Sequence, residues 1–411
     1  MKRCKTVIIS ALLLIAMLFS AIGCTEEAEK PSETPAAGTL EQSESASESS
    51  SEKSSGKATT KTTKKPETIS YKDRSYPLHT ITNKLKLIGR MQTLTNGLSC
   101  DFTASGIAFK AYVEGEFSFT VDVTGQTTYF TVFVDGERMP TRYSAAAGTN
   151  KVIEVGDLGD MALHEIRILK QNQSERSRCV LKTIDFYGSI VEPAKDKELY
   201  IEILGDSITC GHGNLWDKTK NNTGNGSETV YEDGTQAYSF LTAEALDADY
   251  SIVSQSGIGV YRGWTKQTDN GGGYRMMDFY TKASYHRSNS AAYDFSSARV
   301  PDVVIINLGT NDNSFSSPKD SFKTYAKDLI NHIRDVYGKD VPIVWAHNMM
   351  GNCLFSYTAE ALNELGGEGA GLYSVQLNKN GDGGQGHPVV SAHETAADTL
   401  SKFILNNVEF N

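Results

Sequence analysis

The stretch Ile201-Glu-Ile-Leu-Gly-Asp-Ser-Ile-Thr-Cys-Gly211 decides how the rest of the chain is read. Residues 199–204 make an apolar strand. The strand breaks at Gly205, presents Asp206 and Ser207, and turns into a glycine-containing loop. A serine at the carboxyl end of a buried parallel strand sits where open α/β sheets place ligands. Its hydroxyl meets substrate there without burying an unpaired polar group. Two later stretches repeat the design. Asn307-Leu-Gly-Thr-Asn-Asp312 follows a second apolar strand over 301–308, and Gly386-His-Pro388 stands just before the last helix.

From residue 199 onward, strand and helix patterns alternate. A helix is predicted over 236–246, a strand over 250–253, and an amphipathic helix over 317–337. In that helix Phe322, Tyr325, Leu329, Ile333 and Val336 recur three or four apart. Strands at 343–346 and 372–377, a short helix at 359–365 and a closing helix at 391–406 complete the series. The alternation predicts an α/β three-layer domain with a parallel sheet over 198–411. The long connections 211–235 and 261–298 are rich in Gly, Asn, Tyr and Ser, and loops of that length often form lids or rims.

Residues 67–192 read differently. Ile107–Val113, Phe117–Val123 and Tyr129–Val134 alternate or run apolar at strand length, separated by Gly and Asp-Gly breaks. Leu163–Leu169 and Leu181–Tyr187 continue the pattern. Many short strands at about ten-residue spacing predict an all-β sandwich, of which a jelly roll is the preferred version. His164 lies in one such strand and reads as a structural histidine. Cys100 and Cys179 flank this segment. Spacing leaves a disulfide or two buried thiols open, the thiols being preferred.

The first 23 residues read as an export signal, with Lys2, Arg3 and Lys5 ahead of an apolar run from Val7 to Ile22. The run ends Ser20-Ala-Ile-Gly-Cys24, which resembles a bacterial lipobox and would make Cys24 a lipid-bearing N-terminus. Such an anchor tethers without spanning the bilayer. Plain secretion is the alternative. Residues 24–66 are Ser, Thr, Glu, Lys and Pro with few large apolar side chains, and predict a disordered stalk. Formal charge is −10 for the whole chain and −13 without residues 1–23, which hold three basic and no acidic side chains. An acidic protein is a poor partner for nucleic acid. No Cys/His spacing and no His-Glu-x-x-His string suggests a metal, and no cofactor is expected. Nothing suggests a coiled coil, so a monomer is expected.

Ser207, a glycine loop at 257–259, Asn311 and His387, in that order and each beside a strand, resemble the SGNH (GDSL-type) hydrolase superfamily. Serine ester cleavage needs a nucleophile, a base and donors aimed at the developing oxyanion. The resemblance implies Ser207 as nucleophile and His387 as base. It implies an oxyanion hole from the N–H of Ser207, the N–H of Gly257 and the amide of Asn311, with Gly259 competing with Gly257. Asp206 and Asp312 read as loop braces. His393 reads as structural, and His212 and His347 as weaker alternatives for the base. The superfamily places an Asp two or three residues before the base. Here Gln385 and Gly384 stand there, and the nearest carboxylate is Asp382. Either Asp382 folds back to complete a triad or a backbone carbonyl orients His387 in a dyad, the dyad being preferred.

At whole-chain scale, residues 75–408 resemble carbohydrate esterase family 2. The carriers are Ile88-Gly-Arg90, Val134-Asp-Gly136 and His164-Glu165 in the front half, then Gly-Asp-Ser-Ile, Ser-Gly-Ile-Gly, Leu-Gly-Thr-Asn-Asp and Gly-His-Pro. The resemblance implies removal of acetyl groups from acetylated polysaccharide such as xylan or glucomannan, by an acetyl-enzyme and without a cofactor. Trp264, Tyr261 and Trp345 are the aromatic candidates for stacking on sugar rings. Rival readings are a non-catalytic carbohydrate-binding surface lipoprotein, and a thioesterase or lipase on the same fold. The expected location is extracytoplasmic, lipid-anchored or secreted.

Overall fold

The computed structural model describes residues 71–221, 224–263, 274–284, 286, 290–314, 319–351 and 354–410. Antiparallel strands come first: β1 (Lys72–Pro77), β2 (Lys86–Ile88), β3 (Met91–Leu94), β4 (Gly97–Cys100), β5 (Gly106–Gly125), β6 (Thr128–Val134), β7 (Glu137–Arg138), β8 (Tyr143–Ala145), β9 (Gly148–Asp157), β10 (Ala162–Lys170) and β11 (Ser177–Pro193). They hydrogen-bond in the order β3-β4-β11-β5-β10-β6-β7. β1 adds to β11, β2 and β9 to β5, and β8 to β6. The period-two reading holds because one face is packed. Phe109, Phe117, Phe119, Val121, Ile166 and Ile184 all turn into one core. β5 runs for 20 residues, far longer than sequence suggested, because the glycine at 115 bends it without ending it. Cys100 and Cys179 are register partners on β4 and β11, and both remain thiols.

The second sheet holds β12 (Leu199–Gly205), β13 (Ala248–Ser254), β14 (Val303–Asn307), β15 (Ile343–His347) and β16 (Leu372–Gln376), all parallel, in the order β13-β12-β14-β15-β16. Helices are α1 (Ser207–Cys210), α2 (Tyr238–Ala245), α3 (Met276–Tyr280), α4 (Thr310–Ser314), α5 (Lys319–Tyr337), α6 (Phe355–Glu364) and α7 (Val390–Asn407). Strands buried on both faces lose the period-two signal and read as apolar runs. Their side chains still alternate. Ile201, Ile203 and Ile305 pack under α2 and α7, whereas Leu204, Val304 and Ile306 pack under α5 and α6. The predicted three layers follow.

Strand order reverses at β12, so the crevice beside its carboxyl end is the ligand position of this topology. Ser207 follows β12 there, and Asn311 follows β14.

The described residues make one unit in which the two sheets share a core. Ile88, Ala108, Phe133 and Leu169 of the antiparallel sheet join the cluster under α2. Arg90 and Glu202 form an ion pair at 3.0 Å with neither side chain exposed. The Tyr280 hydroxyl donates to the other Glu202 oxygen at 2.7 Å. A carboxylate in the middle of Ile201-Glu-Ile203 is out of place in a buried strand, and its partner comes from the other half of the chain.

Candidate active site

β12 ends at Gly205, where there is no room for a side chain: a Cβ there would lie 1.8 Å from Thr209 Oγ1. Asp206 then caps α1, its carboxylate accepting the Ile208 N–H at 3.0 Å. Ser207 opens that turn, 7% exposed. Its backbone N–H has no partner among the described residues. Burial, with Asp312 adding, pushes the Asp206 carboxyl up to about 7.

The base comes from the chain's far end. His387 Nε2 lies 2.7 Å from Ser207 Oγ. Its Nδ1 lies 3.0 Å from the Gly384 carbonyl. A carbonyl only accepts, so Nδ1 carries the proton and Nε2 is left to accept from the serine hydroxyl. Burial, together with the nearby His212 ring, pulls His387 down to about 3. The imidazole is therefore neutral at neutral pH. A hydroxyl hydrogen-bonded to a neutral, oriented imidazole is the arrangement that generates an acyl-accepting alkoxide.

Asp382 is not behind this histidine, which corrects the triad alternative. Its carboxylate pairs with Lys218 at 2.7 Å and accepts from Asn380 at 2.8 Å, half-buried at the surface. The reason is the turn itself. The Gly383 N–H bonds the His387 carbonyl at 2.7 Å and the Gly384 N–H bonds Gly213 at 2.9 Å. Those bonds aim the Gly384 carbonyl at the ring and Asp382 away from it. Gly384 must be glycine, since a Cβ would meet the Gly226 carbonyl at 2.4 Å.

The glycine loop resolves in favour of Gly257 as the available donor. The Gly259 N–H is taken by the Tyr274 carbonyl at 3.1 Å, whereas the Gly257 N–H has no partner among the described residues. Asn311 lies in the same crevice. Its amide donates to the Ile258 carbonyl at 2.8 Å and reaches Asp206 at 3.3 Å. Asp312 braces the following loop by accepting the N–H groups of Val260, Tyr261 and Arg262 at 2.8–2.9 Å.

The aromatic candidates need correction. Trp345 is fully buried in β15 and donates its indole N–H to Leu308. Tyr261 is 8% exposed, its ring packed 5.0 Å from Tyr325. Both fill core because their strands and loops face inward, so neither offers a face for stacking. Trp264 and Cys24 lie outside the described residues. His393 is buried and accepts the Tyr238 N–H. His347 is buried too, and burial pulls it down to about 4. His164 pairs with Asp135.

Sequence reading passed over His212 as a weak alternative, noted Gln385 only as standing where an Asp was expected, and missed Glu232 and Gln173 altogether. His212 packs edge-on to His387, ring centres 4.8 Å apart. Its Nδ1 faces Glu232 at 3.3 Å and its Nε2 faces the Gln385 side-chain oxygen at 2.9 Å. Their signal in sequence was slight: Glu232-Asp233-Gly234 sits inside a polar loop, and only tertiary packing buries it. Among the described residues no group of three His, Cys, Asp or Glu side chains is disposed to hold a metal.

Residues 201–394 match the GDSL-like lipase/acylhydrolase family. The chain is 30% identical over 326 residues to the cellulase/esterase CelE of Acetivibrio thermocellus, an alignment covering 76% of this chain and 38% of that protein. It thus spans well under half the length of that relative. It is 24% identical over 335 residues to an acetylxylan esterase/glucomannan deacetylase of Cellvibrio japonicus, covering 79% of this chain and 89% of that one. Among solved structures, a family two carbohydrate esterase from Clostridium thermocellum in complex with cellohexaose superposes with a TM-score of 0.69 at 29% identity. That match covers 78% of this chain and 98% of the other. The two relatives are thus esterases by name, and this solved neighbour is a family two carbohydrate esterase.

Proposed function

We propose that this protein is a carbohydrate O-acetyl esterase acting on acetylated plant polysaccharide of the xylan or glucomannan type. The carrying observation is the 2.7 Å contact between Ser207 Oγ and His387 Nε2, with the Gly384 carbonyl behind the ring. Ser207 attacks the acetyl carbonyl carbon as His387 takes its proton. The N–H groups of Ser207 and Gly257 receive the oxyanion. Asn311 contributes once one of its amide hydrogens turns from Asp206 or Ile258 to substrate. Collapse of the tetrahedral species breaks the acyl–oxygen bond, and the sugar oxygen leaves with the proton from His387. Water, deprotonated by the same imidazole, then splits the acetyl-enzyme to acetate and Ser207. Gly384 serves in place of a carboxylate, so the site works as a dyad.

A jelly-roll arrangement for residues 67–192, a catalytic unit at 198–411, a stalk at 24–66 and a lipid on Cys24 complete the reading of an extracytoplasmic enzyme working as a monomer. Trp264 remains the candidate for stacking on a sugar ring. The test is acetate release from 4-nitrophenyl acetate and acetylated xylan by residues 67–411 beside Ser207→Ala. Release that vanishes with Ser207 supports the esterase. No release by folded protein moves the reading to a sugar-binding role.

A further inference from the structure

The connection between β10 and β11 contains the polar run Gln171-Asn-Gln-Ser174, which in sequence looks like a surface loop. All four residues have no solvent exposure. A buried connection must satisfy its polar groups internally, and this one does so largely on the other half of the molecule. Gln173 is its centre. Its backbone N–H donates to Glu232 Oε1 at 2.5 Å, and its side-chain Nε2 donates to Glu232 Oε2 at 2.9 Å. Its Oε1 accepts the Ser256 N–H at 2.8 Å and the Gln255 amide at 3.2 Å. Ser256 immediately precedes Gly257.

On the other side the contacts run to the base. Glu232 faces His212, and His212 faces the side chain of Gln385. Gln385 has φ +52°, a left-handed conformation that a side chain adopts at a cost. It adjoins Gly384, whose carbonyl orients His387. The Gln385 side chain thus ties His212 to that turn, beside the backbone bonds of Gly383, Gly384 and Gln385 that fix it.

We propose that Gln173, supplied by the antiparallel half, is a positioning residue for the reaction, setting the Ser256–Gly257 loop directly and the turn behind His387 through Glu232 and His212. The proposal rests on the hydrolase reading above. An amide suits the task because it has one accepting and one donating end. Ser256 needs the acceptor and Glu232 needs the donor. Glutamate here would set two carboxylates against each other, and methionine would serve neither side.

The experiment measures kcat and KM for 4-nitrophenyl acetate between pH 5 and 8. It compares the wild type with Ser207→Ala, Gln173→Met and Gln173→Glu. Gln173→Met is expected to lower kcat roughly ten- to a hundredfold at every pH with KM within about twofold, the mark of lost transition-state alignment rather than lost binding. Gln173→Glu is expected to match that loss at pH 8 and to recover most of it by pH 5. There one proton shared between the carboxyls at 173 and 232 restores the missing donor. The titratable groups bearing on that pair are His212, Lys170, Glu175 and Cys210. A purely structural role would shift stability without this pH signature. Wild-type release that survives Ser207→Ala overturns the hydrolase reading and this inference together. Ser207-dependent turnover that Gln173→Met retains in full overturns this inference alone. Should Gln173→Met not fold, a Gln173→Glu profile parallel to wild type overturns it.

Discussion

The imidazole of His387 rests between Ser207 Oγ at 2.7 Å and the Gly384 carbonyl at 3.0 Å, with the nearest preceding carboxylate, Asp382, turned to Lys218. A carbonyl fixes the tautomer as a carboxylate would, but it adds no full charge to steady an imidazolium. Three of the expectations below come from that arrangement.

Asp382→Ala should leave kcat within about threefold of wild type. Removing the aspartate of a true triad costs roughly ten-thousandfold. Steady-state hydrolysis of 4-nitrophenyl acetate decides it, and a loss beyond a hundredfold would restore Asp382 to the site.

Gly384→Ala should lower kcat by at least roughly tenfold in folded protein. The added Cβ would sit 2.4 Å from the Gly226 carbonyl, a backbone atom that cannot swing away. The turn must move, and the carbonyl behind His387 moves with it. Circular dichroism checks the fold, and kinetics the loss.

The acid limb of kcat/KM should lie well below the ordinary imidazole range. Burial and His212 hold the His387 ring down at about 3, and activity is lost only as pH falls through that value. A profile flat from pH 8 to 5 is expected. A fall centred near pH 6.5 would contradict it.

Stability should decline on acidification from pH 7 to 4. Burial lowers His387 and His393 to about 3 and His347 to about 4, against roughly 6.5 in the unfolded chain. The unfolded state therefore binds protons first, and the stability these rings contribute above pH ~6.5 is lost as pH falls. Asp206 runs the opposite way. Raised to about 7, it stabilises at low pH and loses that contribution as pH rises from about 4 to 7. Asp312, also raised by burial, runs with Asp206, and three rings still outweigh two carboxyls, each group carrying about 1.4 kcal/mol per pH unit inside its window. Urea unfolding across pH tests the sign, and Asp206→Asn should steepen the decline.

Arg90→Met should destabilise by about 3–5 kcal/mol, because it leaves the Glu202 carboxylate in the core without its ion-pair partner. Adding Glu202→Gln should recover much of the loss. Chemical denaturation of the four proteins completes the cycle, and additive losses would argue against direct coupling.

Chain-local physics carried far in this protein. Apolar runs at 199–205 and 303–307, the heptad-like spacing along α5 and the alternation around β5 each stand for burial of one or two faces, so they were legible as elements. Ser207 was legible as a site candidate because a strand end puts its side chain at the crevice, whereas His387 was legible through the resemblance of Gly386-His-Pro388 and its companion motifs to the SGNH superfamily. Direction and accessibility were not legible. Tyr261 and Trp345 have the chemistry of sugar platforms, yet their rings point into core. Asp382 has the charge of a triad acid, yet three glycines route its backbone elsewhere.

The sequence by itself determined the two kinds of sheet and their order along the chain, since periodicity and turn chemistry act within a few residues, and a family resemblance pointed to the serine and histidine that meet. Only the tertiary structure decided that a carbonyl rather than Asp382 backs His387, that Gln171-Asn-Gln-Ser174 is buried, and that Arg90 finds Glu202 across 112 positions. Those outcomes depend on desolvation and hydrogen-bond satisfaction between distant segments, which no local pattern of residues encodes.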